Sequence, residues 1–143
     1  MKLELKKVND SDLDFLIELR NLTMIDQLEK AGFKLSEQEN LLRVKFYFEN
    51  AYIILQSDNK AGMIKYIETD YCLEIIQFQI LPTYQRKGIG KAVINRLCAD
   101  VRLSGKKIKL KVLKTNPAKD LYEQIGFKTV DSDEHEFYMQ YIA

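Results

Sequence analysis

Residues 80–91, Ile-Leu-Pro-Thr-Tyr-Gln-Arg-Lys-Gly-Ile-Gly-Lys, join an apolar strand to an amphipathic helix through a short polar loop with two glycines. The strand, Glu74 to Leu81, stops at Pro82. A loop of this kind aims successive backbone N–H groups at one point, at the positive end of the helix dipole that follows. That point is a ready site for phosphate or pyrophosphate. Gly88 and Gly90 allow close approach, since glycine has no Cβ and tolerates positive φ. Arg86, Lys87 and Lys91 add positive charge at a helix start, where cations are unfavourable, and an anionic ligand explains them better than solvation does.

Two better-known glycine motifs fail here. A dinucleotide fingerprint needs a third Gly or Ala three residues after the second glycine, where Val93 stands. It would also open a βαβ domain near its start, whereas about 80 residues precede this loop. A Walker A loop needs four residues between its glycines and then Lys-Ser/Thr; Gly90-Lys91-Ala92 has neither that spacing nor the magnesium-binding hydroxyl. On the glycines alone, an ordinary strand-to-helix turn stays open as the alternative.

Length and charge bound the rest. The 143 residues are expected to form a single domain, burying roughly 68–70% of the unfolded surface. A net charge of +1 gives no global field toward nucleic acid or membrane. No apolar run approaches the roughly 18 residues of a span, and no signal-peptide core opens the chain, so cytoplasm is the default location. Cys72 and Cys98 are too few for a disulfide framework and lack zinc-ligand spacing, so no metal is expected. Cys98 falls in the apolar stripe of Val93, Ile94, Leu97 and Val101 and reads as a buried thiol.

Leu3 to Val8 alternates as a half-buried strand does. Asp10 or Ser11 can cap a helix carrying Leu13, Leu16, Ile17 and Leu19, continuing to about Lys30 before Gly32. Ser36-Glu-Gln-Glu39 is a capping box opening a second helix to about Asn50. Residues 51–56 and 61–68 read as strands joined at Ser57-Asp-Asn-Lys60, and 71–81 as a third. Helix 88–103 ends at Ser104-Gly105, and strand 107–112 follows. Asn116-Pro117 starts a short helix to Ile125, with Gly126 as its stop. Residues 127–130 and 136–142 close the chain as strands. The order β-α-α-β-β-β-α-β-α-β-β gives an α/β class: a mixed, partly parallel central sheet of about seven strands with about four helices on its faces.

The element Gln85-x-x-Gly88-x-Gly90 resembles the acyl-CoA pyrophosphate loop of the GNAT acetyltransferases. The likeness continues through strand Lys109-Leu-Lys-Val112, Asn116, Leu121-Tyr122-Glu123 and Gly126-Phe127, and covers about residues 73–127. It implies that the amides of Gln85 to Lys91, Ile89 among them, cradle the pyrophosphate of acetyl-CoA as cosubstrate. It implies also that Ile80 and Leu81 pair with the pantetheine arm, beyond which this strand and strand 107–112 splay apart. Tyr122 would be the general acid, its phenol near ~10 staying protonated beside a thiol near ~8.5. A core aromatic is the other reading of Tyr122. Asn116 would hydrogen-bond the cofactor arm or cap its helix. Glu74 stands where histone-acetylating members carry a glutamate base; on a regular strand it shares a face with Ile76, Phe78 and Ile80, a setting that would raise its pKa. His135 reads as solvated or as part of the acceptor mouth.

The expected activity is transfer of acetyl from acetyl-CoA to a primary amine by direct attack in a ternary complex, since no Cys or Ser stands in a nucleophile motif. The alternative is a non-catalytic acyl-CoA-binding or sensing module on the same fold. The acceptor would be a small-molecule or peptide amine, neither nucleic acid nor membrane, handled by a monomer or homodimer. Its pocket would be walled by helices 11–30 and 36–50 and the 130–138 turn, with Tyr47, Tyr66, Tyr84 and Tyr138 as aromatic candidates.

Overall fold

The structure is a computed structural model and describes residues 2–142. β1 (Leu3–Lys7), β2 (Ala51–Gln56), β3 (Asn59–Glu68), β4 (Cys72–Ile80), β5 (Lys107–Leu113), β6 (Lys128–Ser132) and β7 (Glu136–Ile142) form one sheet. The order across it is β1-β2-β3-β4-β5-β7-β6. β1 to β4 are an antiparallel meander, β5 joins β4 in parallel, and β7 pairs antiparallel with both β5 and β6. The β2–β3 hairpin turns on Ser57 and Asp58, both left-handed at φ 48° and 71°, the type I′ geometry that matches strand twist.

Two helical layers sandwich the sheet. α4 (Ile89–Ser104) and α5 (Ala118–Ile125) lie on one face, where Val93, Ile94, Leu97, Cys98 and Tyr122 meet Ile64, Ile75, Ile108 and Met139. α1 (Leu13–Thr23) and α3 (Glu37–Lys45) take the other, packing Leu16, Leu19 and Val44 on Ala51, Ile53 and Met63. Between them runs a short α2 (Ile25–Lys30).

The helix expected from residue 11 to 30 is therefore two helices. Thr23 Oγ1 donates to the Leu19 carbonyl at 2.8 Å, a back-bond that bends helices, and the chain breaks at Met24 (φ −112°). A 3-10 turn, Asp10–Asp12, leads into α1, and Asn9, not Asp10 or Ser11, caps that turn: Asn9 Oδ1 accepts from the Ser11 amide at 2.9 Å, and Asp12 Oδ2 accepts from the Asn9 amide at 3.0 Å. The Ser36–Glu39 capping box forms as expected, with both bonds at 3.2 Å. α3 stops at Lys45 rather than near Asn50, however. Lys65, only 1% exposed, reaches from β3 and donates to the carbonyls of Arg43 (3.3 Å), Val44 (3.1 Å) and Phe46. It thereby takes the carbonyls a helix end leaves unpaired, and Tyr47 turns left-handed at φ 52°.

Two irregularities in β4 position the site. Lys65 pairs with Gln77 and Tyr66 with Ile75, so Ile76 is a bulge. A bulge shifts the alternation by one. Leu73 and Ile75 face α4 before it, and Phe78 and Ile80 face α4 after it. The parallel pairing with β5 runs only from Cys72–Lys107 to Ile75–Leu110. Beyond that point β4 stays with β3 and β5 with β7, and the sheet forks. The fork opens at Ile76, several residues before the Ile80 expected from sequence.

Candidate active site

The glycine loop closes one end of the fork. Pro82–Tyr84 forms a 3-10 turn, and Gln85 Nε2 donates to the Ile80 carbonyl at 2.9 Å, tying the loop back to the strand end. Arg86 (φ 61°) and Gly88 (φ 82°) adopt the left-handed conformation, which tilts the following amides toward a common point. The Gln85 amide itself bonds the Pro82 carbonyl at 3.2 Å and is spent. The amides of Arg86 to Lys91 find no protein acceptor among the described residues. Gly90 departs from expectation: its φ is not positive, and a Cβ there would lie in ordinary contact with Leu121 Cδ2 at 3.4 Å and Phe78 Cζ at 3.6 Å, where α4 meets β4 and α5. Arg86, Lys87 and Lys91 are exposed and form no ion pair among the described residues.

Ile80 and Leu81 lie next to the loop, but their backbones are engaged: the Ile80 carbonyl by Gln85, the Leu81 amide by the Ala61 carbonyl at 2.8 Å. The strand edge without a partner is the stretch from Ile76 toward Ile80, along the fork.

Between the prongs lies a cavity of about 290 Å³. Tyr122 and Asn116 line it from the α5 side, Gln77, Phe78 and Gln79 from β4, and Arg20 and Met24 from α1 and its end. Tyr122 is 5% exposed, packs against Phe127 with ring centroids 5.6 Å apart, and keeps its edge in the cavity. Burial pushes its phenol well above the ordinary range, with no hydrogen bond contributing. Core packing and a place in the cavity thus coexist. Asn116 likewise does two things: Oδ1 accepts from the Ala118 amide at 2.9 Å, capping α5, while the residue lines the cavity.

Glu74 is elsewhere. The bulge removes it from the face of Phe78 and Ile80 and sets it on that of Gln77 and Gln79, so the apolar flank expected on a regular strand does not exist. It lines an adjoining cavity with Lys109, Lys111 and Tyr138. The two cavities share only Leu110 and Lys111 as wall residues. Carboxylates that do reach the main cavity are Asp133 and Glu136, from the β6–β7 turn. Asp133 is committed: Oδ1 accepts the amides of His135 (2.9 Å) and Glu136 (2.7 Å), and Oδ2 the Tyr138 hydroxyl (2.7 Å). Those bonds, led by Tyr138, hold its carboxyl down to about 2. His135 lines the mouth, edge-on to Phe33 at 4.6 Å.

The walls come from the segments expected, α1–α2, α3 and the β6–β7 turn, but not from the four tyrosines. Tyr66 stacks on Tyr52 at 5.3 Å, Tyr84 lies under Lys87 at 5.8 Å, Tyr138 belongs to the adjoining cavity, and Tyr47 is an exposed turn residue. Sequence reasoning missed Arg20, Arg43, Gln77 and Glu136 as cavity residues. A signal existed for Arg20, four residues after Leu16 on the apolar side of α1, and for Gln77 and Gln79, polar residues inside an apolar strand. Among the described residues, no cluster of three or more His, Cys, Asp or Glu could hold a metal, and no helix is long and apolar enough to cross a membrane.

A forked mixed sheet with a loop of unpaired backbone amides after β4 and a buried tyrosine between its prongs is the architecture of an acyltransferase-type fold. Residues 48–129 match the acetyltransferase (GNAT) domain model, more than half of the chain, and the protein belongs to the GNAT acetyltransferase family. A 58-residue stretch is 40% identical to the ribosomal protein bS18-alanine N-acetyltransferase of Haemophilus influenzae; the match covers 40% of each chain. The fold is similar to that of PaiA N-acetyltransferase from Thermoplasma acidophilum, solved in complex with coenzyme A (TM-score 0.74, 22% identity, 100% of both chains). It is also similar to an acetyltransferase from Thermus thermophilus (TM-score 0.79, 16% identity, 100% of this chain and 98% of that one).

Proposed function

We propose that the protein is an N-acetyltransferase that moves the acetyl group of acetyl-CoA to a primary amine by direct attack in a ternary complex. The observation that carries this reading is the fork itself. It opens at Ile76 and has Tyr122 and Asn116 lining the cavity between its prongs, and its β4 prong leads on into the loop whose Arg86 to Lys91 amides are unpaired among the described residues. The amides and Arg86, Lys87 and Lys91 would take the pyrophosphate. The free edge of β4 would hydrogen-bond the extended pantetheine arm as an added strand does. Asn116, its Oδ1 spent on the helix, has Nδ2 left to donate to the same arm.

The amine enters from the α1–α3 side of the sheet, opposite α4. Its lone pair attacks the thioester carbonyl carbon, and the carbon–sulfur bond breaks. Tyr122 donates its proton to the departing sulfur; burial keeps the phenol protonated at neutral pH while making it a weaker acid than a free tyrosine. Attack also requires the ammonium to lose a proton. Glu74 can take it only through water, since it lines a different cavity, whereas Glu136 borders the reaction cavity directly.

Thiol release from acetyl-CoA with a panel of amines, including peptides with free N-termini, tests the reading. Amine-dependent release with an N-acetylated product by mass is expected. CoA binding without release to any amine would instead leave a sensing module.

A further inference from the structure

The α1–α3 wall of the cavity carries two guanidinium groups, Arg20 and Arg43, that no carboxylate pairs with among the described residues. Arg20, on α1, is only 5% exposed, yet its one protein acceptor among the described residues is Asn40 Oδ1, 3.2 Å from Nε. Arg43, on α3, lines the same cavity close enough to repel it. Neither guanidinium forms an ion pair with a carboxylate among the described residues. The third cation of the cluster, Lys65, is accounted for by the carbonyls at the end of α3. The cavity's own carboxylates, Asp133 and Glu136, come from the β6–β7 turn and pair with neither arginine, and Asp133 is already committed to that turn. A buried guanidinium without an anion is costly, and the exposed Arg43 beside Arg20 adds like charge at the cavity wall. The planar forks of arginine fit a carboxylate through paired hydrogen bonds. The glycine loop does not supply that anion site, since it opens α4 on the opposite face of the sheet.

We infer that Arg20 and Arg43 form a carboxylate subsite for the acceptor, so that the preferred substrate is a primary amine that also carries a carboxylate. This rests on the acetyltransferase reading above. The cavity, about 290 Å³, suits an amino acid or the first residues of a peptide. The carboxylate can thus be an amino acid's own or an acidic side chain near a peptide's N-terminus.

Turnover is measured for amino acids against their α-amides, and for dipeptides with Asp or Glu second against those with Asn or Gln. The acid of at least one pair should exceed its amide in kcat/KM by roughly ten- to hundredfold. The free-acid pairs and the dipeptide pairs tell the two sources apart. In Arg43→Gln and Arg20→Gln the preference should collapse through KM for the acid, with the amide little changed. Arg43 is exposed, so its variant reads the subsite even if Arg20→Gln unfolds. Equal use of acids and amides, or a preference that survives Arg43→Gln, would overturn the inference. Calorimetric titration of the protein–CoA complex with N-acetyl amino acids and their amides measures the same preference without turnover. Inactivity toward every amine would then remove the transferase reading, while the titration alone decides the subsite: no preference for the acids overturns it.

Discussion

Tyr122 has a hydroxyl in the cavity and a ring in the core, and the two can be separated experimentally. Tyr122→Phe keeps the packing against Phe127 and deletes only the proton donor. It should lower kcat by about 10²–10⁴-fold, as loss of a general acid does, while CoA affinity by calorimetry barely moves. Wild-type kcat in the variant, where chemistry limits the rate, would place the acid elsewhere. The base is decided by two carboxylates in different cavities. Whichever of Glu74→Gln and Glu136→Gln lowers kcat/KM at neutral pH and flattens the acidic limb of the pH–rate profile identifies the acceptor of the amine proton. Unchanged profiles in both would give it to water. That Tyr122 and Asn116 stand at the cavity was legible because each belongs to a local pattern along the chain. Arg20's place there was not, because a long-range juxtaposition of α1 and α3 puts it at the wall. Glu74 was misplaced by one bulged residue, and nothing local in the string Cys-Leu-Glu-Ile-Ile-Gln-Phe-Gln-Ile announces a bulge.

At the scale of elements, the strand–loop–helix order around residues 80–91 was legible from glycine and charge spacing within a few residues, and the structure leaves the Arg86 to Lys91 amides without protein acceptors among the described residues. Lys87 and Lys91 are exposed, so reversing them costs the fold little. Lys87→Glu with Lys91→Glu should weaken CoA binding at least tenfold, roughly the loss of one charge-assisted contact, and should leave thermal unfolding within a few degrees of wild type. Unchanged CoA affinity would remove the pyrophosphate from this loop. The start of α3 was readable for the same local reason, Ser36 with Glu39, whereas the start of α1 was shifted by the Asn9-capped 3-10 turn before it. Helix ends were not. α3 is ended by Lys65 from a strand twenty residues on, and the fork is set by which strands pair, information that no segment carries alone.

Across the whole molecule, the strand order and two-layer packing hold a cluster of cations, Arg20, Arg43 and Lys65, between α1, α3 and the sheet. Burial first, and then the charge of Arg20, lower the Lys65 ammonium to about 8. In the unfolded chain the same group titrates near ~10.4. Between those values the unfolded chain binds more protons at this position than the folded one, so its contribution to stability rises with pH and levels off above the unfolded pKa. The difference in unfolding free energy between wild type and Lys65→Met should therefore grow in favour of wild type from pH 8 to 10, by at most about 3 kcal/mol. A flat difference would mean that the ammonium is not destabilised where it lies. Direct transfer is tested most directly by steady-state kinetics with acetyl-CoA and an amine both varied. Intersecting double-reciprocal lines are expected, with one N-acetylated product per thiol released and no acetyl left on the protein. Parallel lines with acetylated protein, or CoA binding with no amine-dependent release, would contradict it.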